Sequence, residues 1–457
     1  MISTIIYKEL FFTVEKKGST MKAWIGKTQK NRVVIVAGVR TPFAKAGTKL
    51  KGCSAVHLGV SAVREVMARA EWLCENVDEV VLGNAGTPVD AANISRVVAL
   101  RAGFPEATPA YTVHRNCASA MEAIAQGCLK IGAGLAETMV VGGTESMSNM
   151  PLIFGEEMKD LFATLTFSKS QVEKLEKLTH FRPQWLKPVV SIMEGLTDPI
   201  SGMNMGETAE ILARDFHLTR QMQDGFAVKS HQKTIEAQKM GKLKEEISPI
   251  VVEPDYKEIF ESDNGPRDGQ SMASLAKLKP FFDRENGTVT AGNACPITDG
   301  AVALLLMSEE KAKAEGREIL GTIAGFTFSG CEPKRMGMGP IYSSASLLDE
   351  MGIDFSEVGL VELNEAFAAQ VLANQMAWNS DKYAQEKLGR KKALGELRDD
   401  ILNVNGGAIA LGHPVGATGG RLVITLLNEM KRRKVAKGLA TLCIGGGQGA
   451  AFLLERN

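Results

Sequence analysis

Four residues of this chain stand in sequence surroundings that suit covalent catalysis. The first, Cys117, lies in HRNCASA (114–120), where small residues follow it and a helical pattern begins. The N–H groups at the start of a helix stabilise a thiolate, so this position predicts a nucleophile whose pKa is lowered. A small buried cysteine without a chemical role is the alternative interpretation of the same position.

The second, Cys443, precedes the glycine-rich stretch IGGGQG (444–449). The glycine spacing differs from the GxGxxG pattern of dinucleotide-binding folds, and the GK[ST] of a phosphate-binding loop is missing. Glycines beside a thiol allow the backbone to approach a reacting carbonyl closely. A glycine-rich turn packed in a tight core would leave the same pattern.

His413 and Asn364 complete the set. His413 lies in GGAIALGHPVGATGGR (406–421), and an imidazole can take a proton from a thiol near neutral pH. Asn364 and Glu365 end the predicted strand VGLVELNEAF, where an amide can hold a water or an oxyanion and a carboxylate can orient a histidine. A satisfied core histidine and a helix N-cap asparagine are the alternatives. Together, two thiols, an imidazole and an amide suffice for a thiol nucleophile with a second thiol as acid/base.

Strands that alternate with helices must position these residues. Apolar β-branched runs such as RVVIVAGV (32–39) and VDEVVLGN (77–84) alternate with helical patterns, and a similar order returns after residue 320. This predicts an α/β protein of two similar halves with mostly parallel sheets, in which the Cys443 segment mirrors the Cys117 segment. The predicted divisions are an extension (1–31), a first half (32–146, completed by about 296–317), an insertion (147–295) and a second half (318–457).

Composition narrows the class of protein. The 457 residues are too many for one ordinary core, and 53 basic and 53 acidic residues leave no net charge to attract nucleic acid. Seven cysteines without a CxxC pair argue against a disulfide framework and a metal site and favour a reducing compartment. Apolar runs are too short to span a membrane. We expect residues 1–31 to be a loosely packed extension, with a transit peptide or a true start at Met21 as alternatives.

The chain resembles the thiolases over nearly its whole length from residue 32. The motifs that carry this resemblance are RTPFAK (40–45), NCASA (116–120), MGETAE (205–210), GTVTAGNACPITDGA (287–301), NEAFAAQ (364–370), GGAIALGHPVGATGGR (406–421) and CIGGGQGAA (443–451). The resemblance implies a duplicated thiolase fold, with two αβαβα sandwich halves and an inserted loop domain. It also implies acyl exchange with CoA and acetyl-CoA as substrates and no prosthetic group.

The resemblance assigns a role to each candidate. Cys117 would take the acyl group, His413 would activate it, and Cys443 would act as acid/base at the α-carbon of acetyl-CoA. A water held by Asn364 would form one oxyanion hole with His413, and the N–H groups of Cys117 and Gly445 would form the other. The positions that would contact CoA are Arg267, Cys295 and Met205.

The motifs favour a 3-ketoacyl-CoA thiolase of fatty-acid β-oxidation over an acetyl-CoA C-acetyltransferase. Asn204 stands where the acetoacetyl-CoA type usually has His, and WNSDKYAQEKLGRK (378–391) resembles the trifunctional-enzyme β-subunit branch. That branch, however, usually has His at the position of Asn364. A thiolase-fold acyl-CoA binder without turnover and a decarboxylating condensing enzyme are more remote alternatives.

Assembly and location are expected from the same resemblance. We expect a homodimer or homotetramer, with a hydratase/dehydrogenase partner subunit as a further expectation. Amphipathic stretches near 152–193 leave membrane association open without indicating it. The expected location is the cytoplasm, or the mitochondrion in a eukaryote.

Overall fold

The computed structural model describes residues 22–456, so most of the predicted extension, residues 1–21, lies outside the described residues. The elements up to the end of the first βαβ series are β1 (Trp24–Ile25), β2 (Val33–Arg40), β3 (Ala44–Lys45), α1 (Ala55–Arg69), β4 (Glu79–Gly83), α2 (Ile94–Ala102), β5 (Ala110–Val113), α3 (Ser119–Gly132) and β6 (Thr138–Ser146). The middle of the chain forms β7 (Leu152–Ile153), α4 (Glu156–Phe167), α5 (Gln171–Thr179), β8 (Val189–Val190), α6 (Ser191–Gly195), α7 (Met205–Asp215), α8 (Arg220–Lys239), β9 (Ile250–Val251), β10 (Ile259–Phe260) and α9 (Met272–Ala276). The remainder forms β11 (Thr298–Ser308), α10 (Glu309–Ala314), β12 (Gly321–Gly330), α11 (Gly339–Met351), β13 (Leu360–Leu363), α12 (Ala368–Trp378), α13 (Asp381–Tyr383), α14 (Ala408–Leu411), α15 (Thr418–Arg433), β14 (Lys437–Ile444) and β15 (Gln448–Glu455).

The large sheet is mixed rather than mostly parallel, which corrects the prediction. Its strand order is β13-β14-β15-β12-β2-β11-β6-β4-β5. Strands β4, β5 and β6 pair in parallel, as do β13 and β14, because helices connect them. Strands β2, β11, β12 and β15 pair antiparallel with their neighbours. The β14–β15 hairpin turns through Gly446 and Gly447, whose positive φ values of 89° and 80° suit glycine.

Two halves related by a pseudo-twofold arrangement meet at the β2–β12 pair. The order β2-β11-β6-β4 in one half matches β12-β15-β14-β13 in the other, with α3 corresponding to α15. The turn of Cys117, before α3, therefore corresponds to the loop of His413, before α15. The predicted match between the Cys117 and Cys443 segments was wrong, because Cys443 lies at the end of β14, in a hairpin rather than before a helix.

Five layers result from the packing of helices on this sheet. Helices α3 and α15 lie between the two halves in a core that includes Met121, Ile124, Leu422 and Leu426. Helices α1 and α2 cover the outer face of the first half, and α11 and α12 cover that of the second. The order α-β-α-β-α places the starts of the two central helices in the interior, where the candidate residues lie.

Residues 22–31 differ from the loosely packed extension that the sequence predicted. Strand β1 pairs antiparallel with β12, and Trp24 is 7% exposed. Its ring stacks on that of Phe326 with 5.3 Å between the centroids. Trp24 therefore belongs to the core that lies between the two halves. The apolar content of residues 22–31 is low, so the sequence pattern gave no sign of this packing.

Buried ion pairs of Arg40 with two carboxylates connect the insertion to the first half. Arg40, the first residue of the RTPFAK motif, lies 2.7 Å from both Glu246 and Asp263, and all three side chains are buried. A guanidinium in this position must be paired, because an isolated buried charge is very costly.

Among residues 22–456, no helix is long and apolar enough to cross a membrane.

Candidate active site

Cys117 lies in a single 3₁₀ turn between β5 and α3. The preceding residue, Asn116, has a positive φ of 42°, and its side-chain amide donates to the carbonyl of Gly445 at 2.9 Å. This bond joins the Cys117 turn to the glycine turn of the β14–β15 hairpin. The N–H of Gly445 faces the Cys117 thiol. A donor in that position can bind an oxygen that develops charge beside the sulfur.

The Cys117 thiol has a raised pKa, contrary to the prediction. Burial raises it, and the N–H groups of Gly445 and Cys117 offset that effect only in part. Removal from water destabilises the thiolate by more than the few N–H groups at this short turn stabilise it. The resting thiol is therefore protonated, and the site needs a base to ionise it.

His413 is held between α14 and α15 by its backbone and by one side-chain hydrogen bond. Its N–H donates to the hydroxyl of Thr298 at 3.1 Å, and Ile297 pairs with it in a parallel bridge. Its Nδ1 lies 2.6 Å from the hydroxyl of Thr418. That hydroxyl donates to the carbonyl of Pro414, so it accepts from Nδ1–H.

The other imidazole nitrogen of His413 is free to take a proton. Its Nε2 atom is buried and has no hydrogen-bond partner among the described residues. Burial, together with the charge of Arg421, lowers the pKa of His413 to about 4. The ring is therefore neutral near pH 7, and its lone pair lies on Nε2. This is the form that a general base requires.

Asn364 is the second buried group without a partner. Its backbone N–H donates to Thr441, while both polar atoms of its side chain are buried and unpartnered. Asn364 caps no helix, so the alternative interpretation of this residue as a helix N-cap is wrong. Buried amides nearly always find partners, so the side chain of Asn364 is suited to hold a water or a ligand oxygen.

Glu365 supports the backbone rather than the histidine. Its carboxylate accepts from Ser230, Asn403 and the N–H of Ile409. These bonds join α8, the loop after β13 and the start of α14. The idea that this carboxylate orients His413 is therefore wrong, because its oxygens are occupied by other donors.

Two further thiols share the surroundings of Cys117. Cys443 is 1% exposed, and burial together with the nearby thiols of Cys117 and Cys295 raises its pKa. The pKa of Cys295 is raised to about 12 by burial and by Cys117, and its N–H donates to Ala366. Cys295 therefore lies beside the Asn364 loop. Both thiols are protonated at neutral pH, which suits a proton donor.

A cavity of about 550 Å³ opens at Cys117. Met205, a predicted CoA contact, and Gly445, a predicted oxyanion donor, also line it. His114 and Asn116 lie at the same end. A cavity of this size is in the range of small-molecule sites in proteins.

Arg267 lies elsewhere. It lines a different cavity of about 550 Å³ together with Lys239 and Gln270. Its N–H donates to Nδ1 of His231, whose pKa is lowered to about 4 by burial and by the charges of Arg267 and Lys45. The structure does not bring Arg267 into the cavity of Cys117. Lys239 and Lys45 lie near Arg267, and the acidic Glu236 and Asp268 line the same cavity as Arg267.

Sequence reasoning missed two residues that shape the site, Thr418 and Glu145. Glu145 ends β6 and is buried, and its carboxylate accepts from the N–H groups of Ala85, Gly86 and Gly416. It therefore joins the loop after β4 to the loop that follows His413. An acidic residue at the end of the apolar strand VVGGTES was the available signal in the sequence for Glu145.

Among the described residues, no cluster of His, Cys, Asp and Glu could hold a metal ion.

Comparison with known proteins matches this arrangement to one family. Residues 33–310 match the family model described as the thiolase N-terminal domain, and residues 317–456 match that of the thiolase C-terminal domain. The 3-ketoacyl-CoA thiolase of Pseudoalteromonas translucida is 41% identical over 432 residues, which cover 94% of this chain and 98% of the relative. That of Yersinia pestis is 40% identical over 428 residues, 93% of this chain and 97% of the relative.

Solved structures agree with the sequence relatives. The crystal structure of the Bacillus anthracis acetyl-CoA acetyltransferase has a TM-score of 0.82 at 36% identity, covering 93% of this chain and 99% of that one. Human mitochondrial 3-ketoacyl-CoA thiolase has a TM-score of 0.81 at 34% identity, with the same coverage. Its complex with CoA has a TM-score of 0.80 and covers 98% of that chain.

Proposed function

The chain belongs to the thiolase family, and from this premise we propose that it is a 3-ketoacyl-CoA thiolase of fatty-acid β-oxidation. The predicted duplicated fold with its five layers is confirmed by the likeness to solved thiolases. The observation that carries the proposal is the relation to 3-ketoacyl-CoA thiolases, about 40% identical over more than nine-tenths of this chain. The substrates are CoA and acyl-CoA, and no prosthetic group takes part.

In the first half-reaction, His413 takes the proton of Cys117, and the thiolate attacks the 3-keto carbon. The free Nε2 of His413 and the protonated resting state of Cys117 support this assignment. The bond between the α-carbon and the keto carbon then breaks, which leaves the acyl group on Cys117. The α-carbon of the leaving acetyl-CoA takes a proton from Cys443, whose raised pKa keeps that proton available.

In the second half-reaction, the thiol of CoA attacks the acyl-Cys117 carbonyl and gives its proton to the Cys443 thiolate. Cys117 leaves as a thiolate and recovers its proton from His413, so both thiols and the imidazole return to their starting states. Every proton is accounted for within these three groups. The cycle therefore runs without a metal or a redox partner.

Two oxyanion sites would stabilise the charged oxygens of the two half-reactions. The N–H groups of Cys117 and Gly445 suit the oxygen of the acyl carbonyl, because Gly445 faces the reacting sulfur. A water bound to the unpartnered amide of Asn364, together with His413, suits the enolate oxygen of acetyl-CoA. We assign the CoA contacts to Met205 and Cys295 near the thiol end and to Arg267 at the nucleotide end.

The assembly that we propose is a homodimer formed through the edge of the first half. Strand β5 ends the large sheet, and its four residues are only half-buried. An unpaired edge of this kind invites pairing with a second copy. A homotetramer and a hydratase/dehydrogenase partner subunit are further proposals. Isolation of the native protein as a lone homo-oligomer would rule out the partner subunit.

All seven cysteines are free, which is consistent with the proposed cytoplasmic location.

Mass spectrometry tests the function directly. The protein is mixed with 3-ketoacyl-CoA of four or sixteen carbons without free CoA, and the adduct is mapped by peptide, with Cys117→Ala as the control. A long acyl group on Cys117 is the expected result. An adduct from the four-carbon substrate alone would indicate an acetyl-CoA acetyltransferase, the function of the Bacillus anthracis relative. The absence of any adduct on reduced Cys117 would overturn the nucleophile assignment and favour an acyl-CoA binder.

A further inference from the structure

The cavity at Cys117 extends well beyond the reacting groups into apolar surroundings. Its catalytic end is formed by Cys117 and Gly445. Away from that end, the side chains that line it are mostly apolar and include Met147, Met150, Pro151, Ile192, Leu196 and Pro199. An acetyl group needs none of this space. The cavity is therefore built for something larger and apolar that is attached to the reacting carbonyl.

The distribution of charge separates the two arms of the substrate. Apart from Cys117, the ionisable side chains that line this cavity are His114, Glu194 and Asp198, and no Lys or Arg of the described chain lines it. Two carboxylates would repel the phosphates of CoA. Arg267 and Lys239 line a different cavity together with Glu236 and Asp268, and Lys45 lies near Arg267, so cationic side chains are present there. The nucleotide arm of the substrate thus fits near Arg267, and the apolar arm fits here.

The two-stranded antiparallel ladder of β7 and β8 covers the far end of the cavity. Leu152 pairs with Val190 in the β7–β8 ladder, and the hydroxyl of Ser191 donates to the carbonyl of Pro151. These bonds hold the segment of Met150 beside the segment of Ile192. Both of these side chains are half-buried and face the cavity.

Met150 also contacts the opposite wall. A Cβ atom added to Gly86 would lie 2.4 Å from Cε of Met150, so the methionine tip occupies the space that the glycine leaves. A methionine can change its rotamer at little cost to fit a guest. Just outside, Leu152 and Ile153 are 64% and 47% exposed, and they continue the apolar surface beyond the roof. A chain longer than the cavity would find apolar surface along this path.

Resting on the proposed thiolysis, we propose that Met150 and Ile192 determine acyl-chain length, and that the cavity between them and Cys117 receives a long unbranched acyl tail. The tail lies under the β7–β8 ladder, and its end passes between the two side chains. Preference for long substrates follows from the apolar area that each added methylene buries there.

The test is Ile192→Trp, which fills the roof, with Val172→Trp as the matched control. Val172 is 76% exposed on α5 and does not line the cavity. For Ile192→Trp, kcat/KM for the sixteen-carbon 3-ketoacyl-CoA is expected to fall by about tenfold or more, while that for the four-carbon substrate changes less than about twofold. The KM for CoA should stay unchanged, and the control should match the wild type.

Several outcomes would overturn the assignment. An equal loss for both substrates, or no loss for either, would show that the tail does not lie at Ile192. A raised KM for CoA would place the pantetheine arm in this cavity instead. Met150→Phe, read in the same way, gives a second test if Ile192→Trp does not fold. Failure of the proposed function is distinguishable, because the wild-type protein would then cleave the four-carbon substrate alone or neither substrate.

Discussion

The Nδ1 atom of His413 lies 2.6 Å from the hydroxyl oxygen of Thr418, the first residue of α15. Because that hydroxyl also donates to the carbonyl of Pro414, the proton of the imidazole stays on Nδ1 and the lone pair stays on Nε2. Thr418 thus selects the tautomer in which His413 can act as a base. It touches no reacting atom, so it is a positioning residue.

Thr418→Val should lower kcat by about 10- to 100-fold, because a buried hydrogen bond left unmade costs about 1–3 kcal/mol. The measurement is steady-state thiolysis across pH. A positioning role predicts that kcat falls more than KM rises and that the acid limb of the profile moves. Thr418→Ser, which keeps the hydroxyl, should restore most of the activity. Equal activity of the Val and Ser variants would contradict the assignment.

Asn364→Ala should remove activity without loss of stability. Loss of an oxyanion donor costs about 100- to 1000-fold in kcat in a site of this type. The side chain makes no hydrogen bond among the described residues, so its removal leaves no partner unsatisfied, and the free energy of unfolding should be unchanged or slightly raised. Thiolysis kinetics and chemical denaturation measure the two effects.

The matched control for Asn364 is Asn403, a neighbouring buried asparagine with a full set of partners. Its side chain bonds both backbone groups of Leu363 and the carboxylate of Glu365. Asn403→Ala should therefore lower the free energy of unfolding by about 1–3 kcal/mol. If Asn364→Ala destabilised the protein as much as this control, the amide would be structural rather than catalytic.

Stability should fall as the pH drops from about 6.5 towards 4. The pKa values of His413 and His231 are both lowered to about 4 from an ordinary 6.5. Between these values the unfolded chain binds protons that the folded protein does not, so protonation favours unfolding, whereas above 6.5 both states are neutral and this contribution is fully retained. Thermal unfolding at a series of pH values measures the slope.

His231→Asn isolates one of these two contributions. The asparagine oxygen can still accept from the N–H of Arg267, as Nδ1 of His231 does, but it does not titrate. The variant should lose less stability than the wild type between pH 6.5 and 4. An unchanged slope would show that His231 is not the group that responds.

Trp24→Ala should destabilise the folded protein by about 3–5 kcal/mol, because a buried aromatic ring is replaced by a cavity. Trp24 is 7% exposed and stacks on Phe326. Urea denaturation measures the change, and Ile25→Ala, at a half-buried position of the same strand, should cost clearly less. No effect of Trp24→Ala would restore the view that this segment is loosely attached.

The sequence by itself determined the family, the duplicated α/β fold and the identity of the candidate residues. Cys117, His413, Cys443 and Asn364 each stand in a local motif long enough to be recognised, and the motifs occur in order along the chain. Strand and helix periodicity located most elements, because one face of each is apolar.

Tertiary structure decided what depends on groups far apart in sequence. The thiol of Cys117 is protonated because burial outweighs the helix start, and neither effect can be weighed from a motif. Glu145 contacts Gly416 across 271 residues, and Trp24 packs on a strand that begins at Gly321. The sheet is mixed, because strand direction depends on which strands become neighbours. Local patterns state which residue types are present, and only the folded chain brings their charges, partners and cavities together.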